Sequence, residues 1–340
     1  MKLRVLQWLA CPQCEQSQFR VEYSKSETYP EWSAHRNESE SEDSMIDVIE
    51  GALHCQSCSA IYLIREGVPR LLVNQTDHSQ SGHKTTRFDV AAPEWEANFL
   101  ELAAPLEPND FLGKTVLDLG CGYGRHAYFA SRFGAEVIAV DSHVDAVISA
   151  QRNCKHLSNV HVIQADGERL PIRTQSMDRV YCFGVLHHAE HPEQILKAAT
   201  EVIKPGGTLS LWVYGPRQGM TLMINNALRG MTTSMEHDQL IKVSRGIARG
   251  LRVFSHTPYR FFRHMPILKE IVSHLPVHEH HQWPFEVVVA DIYDRLRIPV
   301  LHWFTGEDIE RWYAKHGFSN FHVHRRVRNN ESFQSIGVRR

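Results

Sequence analysis

Between Lys114 and Gly215 the chain alternates short apolar runs with amphipathic stretches. Five runs read as strands: KTVLDLG, AEVIAVD, NVHVIQAD, MDRVYCFG and, after the turn KPGG, GTLSLWVYG. Apolar positions at helical spacing over 124–133, 144–154 and 192–203 separate most of them. Strands alternating with helices predict βαβ units and a doubly wound, Rossmann-like parallel α/β sheet. Upstream, PEWEANFLELAAP sets Trp95, Phe99 and Leu102 on one helical face. Beyond Gly215 the rhythm changes, and 216–304 predicts a mostly helical insert. FTGEDIERWYAKHGF then predicts a helix with Thr305 as N-cap and Asp308 three residues later. SNFHVHRRV and SFQSIGVRR predict two closing strands that end the sheet on an antiparallel edge.

The first 75 residues follow a different pattern, with two Cys-x-x-Cys pairs, Cys11 with Cys14 and Cys55 with Cys58. Four thiolates so spaced predict a closed tetrahedral zinc ribbon with no position left for water or substrate, a structural metal site. Between the pairs, SETYPEWSAHRNESESEDSMID is acidic, Ser-rich and poor in apolar residues, which predicts a solvated excursion. The polar run NQTDHSQSGHKTT leads into a predicted linker over 76–92, and 93–340 forms the second domain. A chain of 340 residues has room for two or three folding units.

Composition narrows the functional classes. A net charge of −2 provides no global basic field for nucleic acid. No apolar run approaches the roughly 20 residues of a membrane span, and MKLRVLQWLAC has too short an apolar stretch for a secretory signal. Seven cysteines, four of them in Cys-x-x-Cys pairs, suit a reducing compartment, so the reading predicts a cytoplasmic protein.

TVLDLGCGYGRHAYFA carries the strongest chemical signal. A strand runs through Asp118 into Gly120, Gly122 and Gly124 and then into a helix, where glycine permits sharp turns and close approach of a ligand to the backbone. Asp141 closes the next strand, where two carboxylate oxygens suit a ribose diol, and Asp166 follows the third. With YCFGVLHHAEH and KPGGTLSL in order behind them, residues from Leu112 to Tyr214 resemble the class I S-adenosylmethionine-dependent methyltransferases, particularly the quinone and small-molecule branch. A nicotinamide dehydrogenase would more usually show G-x-G-x-x-G and has no role for KPGG. The resemblance implies S-adenosylmethionine as cofactor. Asp118, Gly120, Cys121, Gly122 and Gly124 would lie at its methionine part, Asp141 and Ser142 at the ribose, and Asp166 and Gly167 at the adenine. Phe183 and Leu186 would line the pocket.

In such enzymes catalysis is mainly positioning, and a base is needed only when the acceptor loses a proton. His187 and His188 stand just beyond the fourth strand as base candidates, or as packing residues of the cofactor wall. FGVL replaces the Asn/Asp-Pro-Pro-aromatic tetrad of amino-directed enzymes, and Cys182 lacks the preceding Pro of RNA cytosine methyltransferases. Cys121, Cys154 and Cys182 therefore read as small buried residues. The insert, rich in Met and Phe, reads as a substrate lid, and Lys242, Arg245, Arg249 and Arg252 form a basic stripe along it. VHEHHQW concentrates histidines that would make either a metal site or a solvated loop. YDRLRIPVLHWFTGEDIERWYAKHGF is similar to the C-terminal stretch of small-molecule methyltransferases, which implies Tyr293, Asp294 and His302 either beside the acceptor or packing the lid.

LACPQC, LHCQSC and REGVPRLL together resemble the small zinc-binding activator subunit of tRNA and protein methyltransferases, here fused in cis. The leading expectation is O- or C-methylation of a small-molecule, lipid-linked or glycan-linked acceptor, with peripheral membrane contact compatible with the lid. The alternative is an RNA methyltransferase that grips tRNA or rRNA with the zinc ribbon and basic helix. The third is a catalytically silent cofactor-binding partner protein.

Overall fold

The computed structural model describes residues 1–28, 46–73, 91, 93–216, 230–232, 235–275, 277–297, 302–326 and 332–340. The segment begins with a 3-10 turn, Leu3–Gln7, and then the first cysteine pair. Strands β1 (Phe19–Thr28) and β2 (Ile46–Cys55) form an antiparallel ribbon in which Phe19 faces Cys55. The ribbon runs further than expected, since Ser26–Thr28 and Ile46–Asp47 belong to the stretch read as a solvated excursion; the rest of that stretch lies outside the described residues. Most of the expected linker over 76–92 lies outside them as well. β3 (Ile61–Arg65) pairs with β2 and turns through Glu66 and Gly67 into β4 (Val68–Leu71). Both turn residues have positive φ, 50° and 77°, as a tight two-residue hairpin requires.

β4 then pairs in parallel with β7 (Val160–Ala165), Arg70 facing Gln164 and Leu71 facing Ala165. The N-terminal strands thereby extend the central sheet rather than sitting apart from it. That sheet continues through β6 (Glu136–Asp141), β5 (Thr115–Leu119), β8 (Met177–Phe183) and β9 (Ile203–Tyr214), all parallel. β11 (Ser332–Arg339) and β10 (Phe318–Arg326) close it antiparallel, as the final hairpin predicted. The KPGG turn falls inside β9, which starts at Ile203 and shifts register against β8 between Met177 and Arg179.

Side-chain alternation along the strands divides the core. Val137 and Ala139 of β6 face one side, with Phe99 of α1 (Pro93–Ala103), Ala127 of α2 (Arg125–Arg132) and Val147 of α3 (Val144–Cys154). Ile138 and Val140 face the other, with Leu196 of α4 (Pro192–Val202) and with Leu9, Leu53 and Ile64 of the cysteine-bearing segment. One apolar core therefore spans both segments.

The insert is helical, as expected. α5 (His237–Leu251) passes through a π turn, Arg252–His256, into α6 (Thr257–Phe262), followed by α7 (Pro266–Ser273) and α8 (Phe285–Arg297). Leu240 and Ala248 of α5 pack on Val288, Ile292 and Tyr293 of α8. α9 (Gly306–Lys315) starts at the predicted cap. Asp308 N–H donates to Thr305 Oγ1 at 3.2 Å and Thr305 N–H to Asp308 Oδ2 at 2.9 Å, worth about 1 kcal/mol.

Candidate active site and metal centre

The carboxyl ends of β5, β6 and β7 bring Asp118, Asp141 and Asp166 to one edge, around the loop that leads into α2. Ligands of doubly wound sheets bind at this edge. Gly120 has φ +79°, and a Cβ there would meet Val185 Cγ2 at 2.1 Å. Gly122 has φ +54°, and a Cβ there would meet nothing within 4 Å, so its backbone faces open space. Gly124 lies against Ala150 and Cys154, both 3.1 Å from where its Cβ would stand.

Asp118 is buried, and its Oδ2 has no hydrogen-bond partner. Burial pushes its carboxyl up to about 8, against the pull of the Ala127 N–H. Asp141 shows the opposite balance. Burial would raise it, but bonds from the His143 side chain and backbone and from Gly122 hold it below the usual range. Gly122 N–H donates to Oδ2 and His143 N–H to Oδ1, each at 2.9 Å. The His143 ring nitrogen Nδ1 also lies 3.4 Å from Oδ1, so of a carboxylate's roughly four acceptor positions one remains for a ribose hydroxyl. Asp166 is exposed and accepts Glu168 N–H at 2.9 Å, while Gly167 beside it rests against Ile195 and Leu119. Cys121 is buried and its thiol raised well above its ordinary value, first by desolvation and then by the neighbouring acids. Phe183 and Leu186 are buried at the end of β8.

A link that the sequence did not reveal runs from β4 to this edge. Arg70 Nη1 donates to Gln164 Oε1 at 2.9 Å, and Gln164 Nε2 donates to the carbonyl of Ser142 at 2.8 Å. The last strand of the cysteine-bearing segment is thus tied to the turn that follows Asp141.

The three candidate histidines gather at the ends of β8 and β9. His187 is 1% exposed and stacks on Tyr214 with centroids 3.8 Å apart, and its Nδ1 accepts Tyr214 N–H at 3.4 Å. This geometry favours the packing reading for His187. His188, half-buried, stands edge-on to Tyr214. His302 donates from Nε2 to Ala189 O at 3.0 Å, and its own N–H bonds to His187 O at 2.8 Å. Trp212, Tyr214 and Trp303 complete an aromatic wall. The only sequence sign of it was the two-residue spacing of Trp212 and Tyr214, which puts both on one sheet face. Tyr293 is buried in the insert's own core, and the Asp294 side chain lies outside the described residues.

At the start of α2, Arg125 sits 4.5 Å over the Trp95 ring, and Trp95 meets Trp283 of the insert at 5.7 Å. Two members of the basic stripe hold the insert together. Arg245 pairs with Glu286 at 2.8 Å, and Arg252 donates to Trp283 O at 2.9 Å. In VHEHHQW, His280 is buried and stacks on Trp283 at 3.7 Å.

The sulfurs of Cys11, Cys14, Cys55 and Cys58 all lie within 4.8 Å of one another, with the Cys11–Cys58 and Cys14–Cys55 pairs at 3.6 Å. A tetrahedron with Zn–S of about 2.3 Å has edges of roughly 3.8 Å, so the donor set fits a structural zinc. The Tyr62 hydroxyl, 3.1 Å from Cys11 Sγ, is positioned to donate to a thiolate there. Among the described residues these four cysteines are the only such ligand cluster.

Residues 117–211 match the family described as methyltransferase domain, and residues 2–67 match that of Trm112p-like protein. The mitochondrial ubiquinone biosynthesis O-methyltransferase of Schizosaccharomyces pombe is 30% identical over 171 residues, 44% of this chain and 60% of that enzyme. A tRNA U34 carboxymethyltransferase of Desulfotalea psychrophila is 31% identical over 109 residues, 31% of this chain and 34% of that protein. The chain thus spans less than two thirds of either relative's length. The magnesium protoporphyrin IX methyltransferase of Synechocystis PCC 6803 with bound SAH superposes with a TM-score of 0.41 at 16% identity, covering 73% of this chain and 82% of that one.

Proposed function

We propose that this chain, a methyltransferase domain joined to a Trm112p-like region, transfers a methyl group from S-adenosylmethionine to a small-molecule, lipid-linked or glycan-linked acceptor by O- or C-methylation. The observation that supports it most is the run of acids at the ends of three neighbouring parallel strands around a glycine loop whose central residue faces open space. The donor set suits the cofactor. The partnerless Oδ2 of Asp118 suits a cationic amino group, and Asp141 retains acceptor capacity for a ribose hydroxyl. Exposed Asp166 and the neighbouring Gly167 suit an adenine edge.

Bound there, the cofactor supplies a sulfonium methyl that is already activated. The protein's part is to hold the acceptor in line with it and to exclude water. The aromatic wall of Trp212, Tyr214 and Trp303 offers an apolar surface for that purpose. If the acceptor must lose a proton, His188 is the candidate base, because His187 is buried with Nδ1 engaged and His302 is tied to Ala189 through Nε2.

The relatives' names include both a ubiquinone-pathway enzyme and a tRNA enzyme, so RNA remains the second reading. Arg245 and Arg252, half of the stripe that reading relies on, serve the insert's own structure. The deciding experiment incubates zinc-loaded protein and labelled S-adenosylmethionine with small-molecule, lipid, polysaccharide, RNA and protein fractions of a cell extract. Label in the lipid, polysaccharide or small-molecule fraction is expected. Label confined to RNA would overturn the acceptor assignment, and no transfer to any fraction would overturn the activity.

A further inference from the structure

Twelve large apolar side chains are exposed among the described residues, and seven of them fall between Val253 and Ile271. They are Val253 and Phe254 on the π turn, Phe261 and Phe262 on α6, Met265 at the cap of α7, and Ile267 and Ile271 on α7. Ile267 is 82% exposed, Phe254 76% and Phe261 69%, values unusual for side chains of this size in water. Ile267 and Ile271 stand one helical turn apart and so share a face. The segment is anchored from beneath. Ser255, His256 and Val272 point inward and are buried, His256 Nε2 donates to Val277 O at 3.0 Å, and the Tyr259 ring packs tilted against His278 and edge-on against His281. The π turn sends Val253 and Phe254 outward while it seats Ser255 and His256. α6 buries no residue and α7 only Val272, so these helices have no internal reason for so apolar a surface.

Charge identifies the occupant. Residues 252–273, which carry the patch, hold four Lys and Arg against one Glu and no Asp, in a chain whose net charge is −2. Arg249, Arg260 and Lys269 are exposed beside the apolar side chains. Apolar side chains long enough to enter the acyl boundary, bordered by cations at headgroup level, are the features of a helix that lies in a membrane interface. Nucleic acid would use the cations and leave the phenylalanines and isoleucines in water. The patch is also linked to the start of α2, because Arg252, which begins the π turn, bonds to Trp283, and Trp283 meets Trp95 beside Arg125, the first residue after the glycine loop.

We infer that the surface formed by the π turn, α6 and α7 docks this protein on an anionic lipid bilayer. The inference does not depend on the methyl acceptor or on turnover.

The test is co-sedimentation of the full zinc-loaded chain with vesicles of phosphatidylcholine alone and of phosphatidylcholine mixed with phosphatidylglycerol. Binding to the mixed vesicles is expected to be at least about tenfold tighter, at about fivefold per engaged cation, and to weaken with salt. The combined variant Phe254→Ser, Phe261→Ser, Ile267→Ser should lose binding by more than about a hundredfold, and Lys269→Glu by about tenfold. All four side chains are exposed, so the melting temperature and cofactor affinity should be unchanged, which separates this result from any failure of the methyltransferase reading. Three results would overturn the inference: equal partition of wild type and triple variant, wild-type binding to neither vesicle, or a wild-type dimer in solution that the triple variant dissolves without vesicles. Binding of an RNA oligonucleotide that excludes vesicles and survives the triple substitution would also overturn it.

Discussion

Gly120 and Gly122 share a left-handed backbone but not their surroundings, and substitution should separate them. Gly120→Ala puts a Cβ into Val185 and should cost more than about 2 kcal/mol of stability, read by denaturant unfolding. Gly122→Ala meets only the φ penalty, about 1 kcal/mol, and its main loss should be cofactor affinity, because its Cβ enters the space at the open edge. Asp118 gives a pH signature. Its carboxyl is near its ordinary value of 3.8 in the unfolded chain and about 8 in the fold, so between those values the fold holds a proton that the unfolded chain has lost. The stability that Asp118 contributes therefore falls as pH rises from about 4 to about 8. Asp118→Asn should remove that slope, so the variant gains on wild type in unfolding experiments as pH goes from 5 to 8. These residues were legible in the sequence because their types are forced, glycine by backbone geometry and acids by the ligand groups they would meet. Tyr62 and Gln164 were not, because a tyrosine in SAIYLI or a glutamine in VIQAD acquires its role only from what the folded chain places opposite.

The strands and helices of 115–214 were readable from their alternation, and so were the Thr305 cap and the antiparallel closing hairpin, because each depends on local chemistry. The parallel pairing of β4 with β7 was not, since VPRL is too short to declare its partner and the partner lies some ninety residues away. That pairing creates the relay from Arg70 through Gln164 to Ser142. Arg70→Ala should weaken cofactor binding about fivefold by calorimetry, the equivalent of ~1 kcal/mol, with zinc content unchanged. An unchanged affinity would show that the turn after Asp141 holds its shape without β4.

At the scale of the molecule, Leu9, Leu53 and Ile64 share one core with Ile138, Leu196 and Tyr313. Removing zinc should therefore lower the stability of the whole sheet. Chelation is expected to shift a single unfolding transition down by several kcal/mol, whereas two transitions with the later one unmoved would mean independent units. The same continuity gives the cysteine centre its place: the segment that carries it also supplies β4, the strand that pairs with β7.

The most direct test of the account is isothermal titration of S-adenosylmethionine into the zinc-loaded full chain and into Asp141→Ala. One cofactor per wild-type chain is expected, with binding weakened at least about tenfold in the variant, in line with the loss of one charge-assisted hydrogen bond to the ribose. Absence of binding to the wild type, or equal affinity in the two proteins, would contradict it.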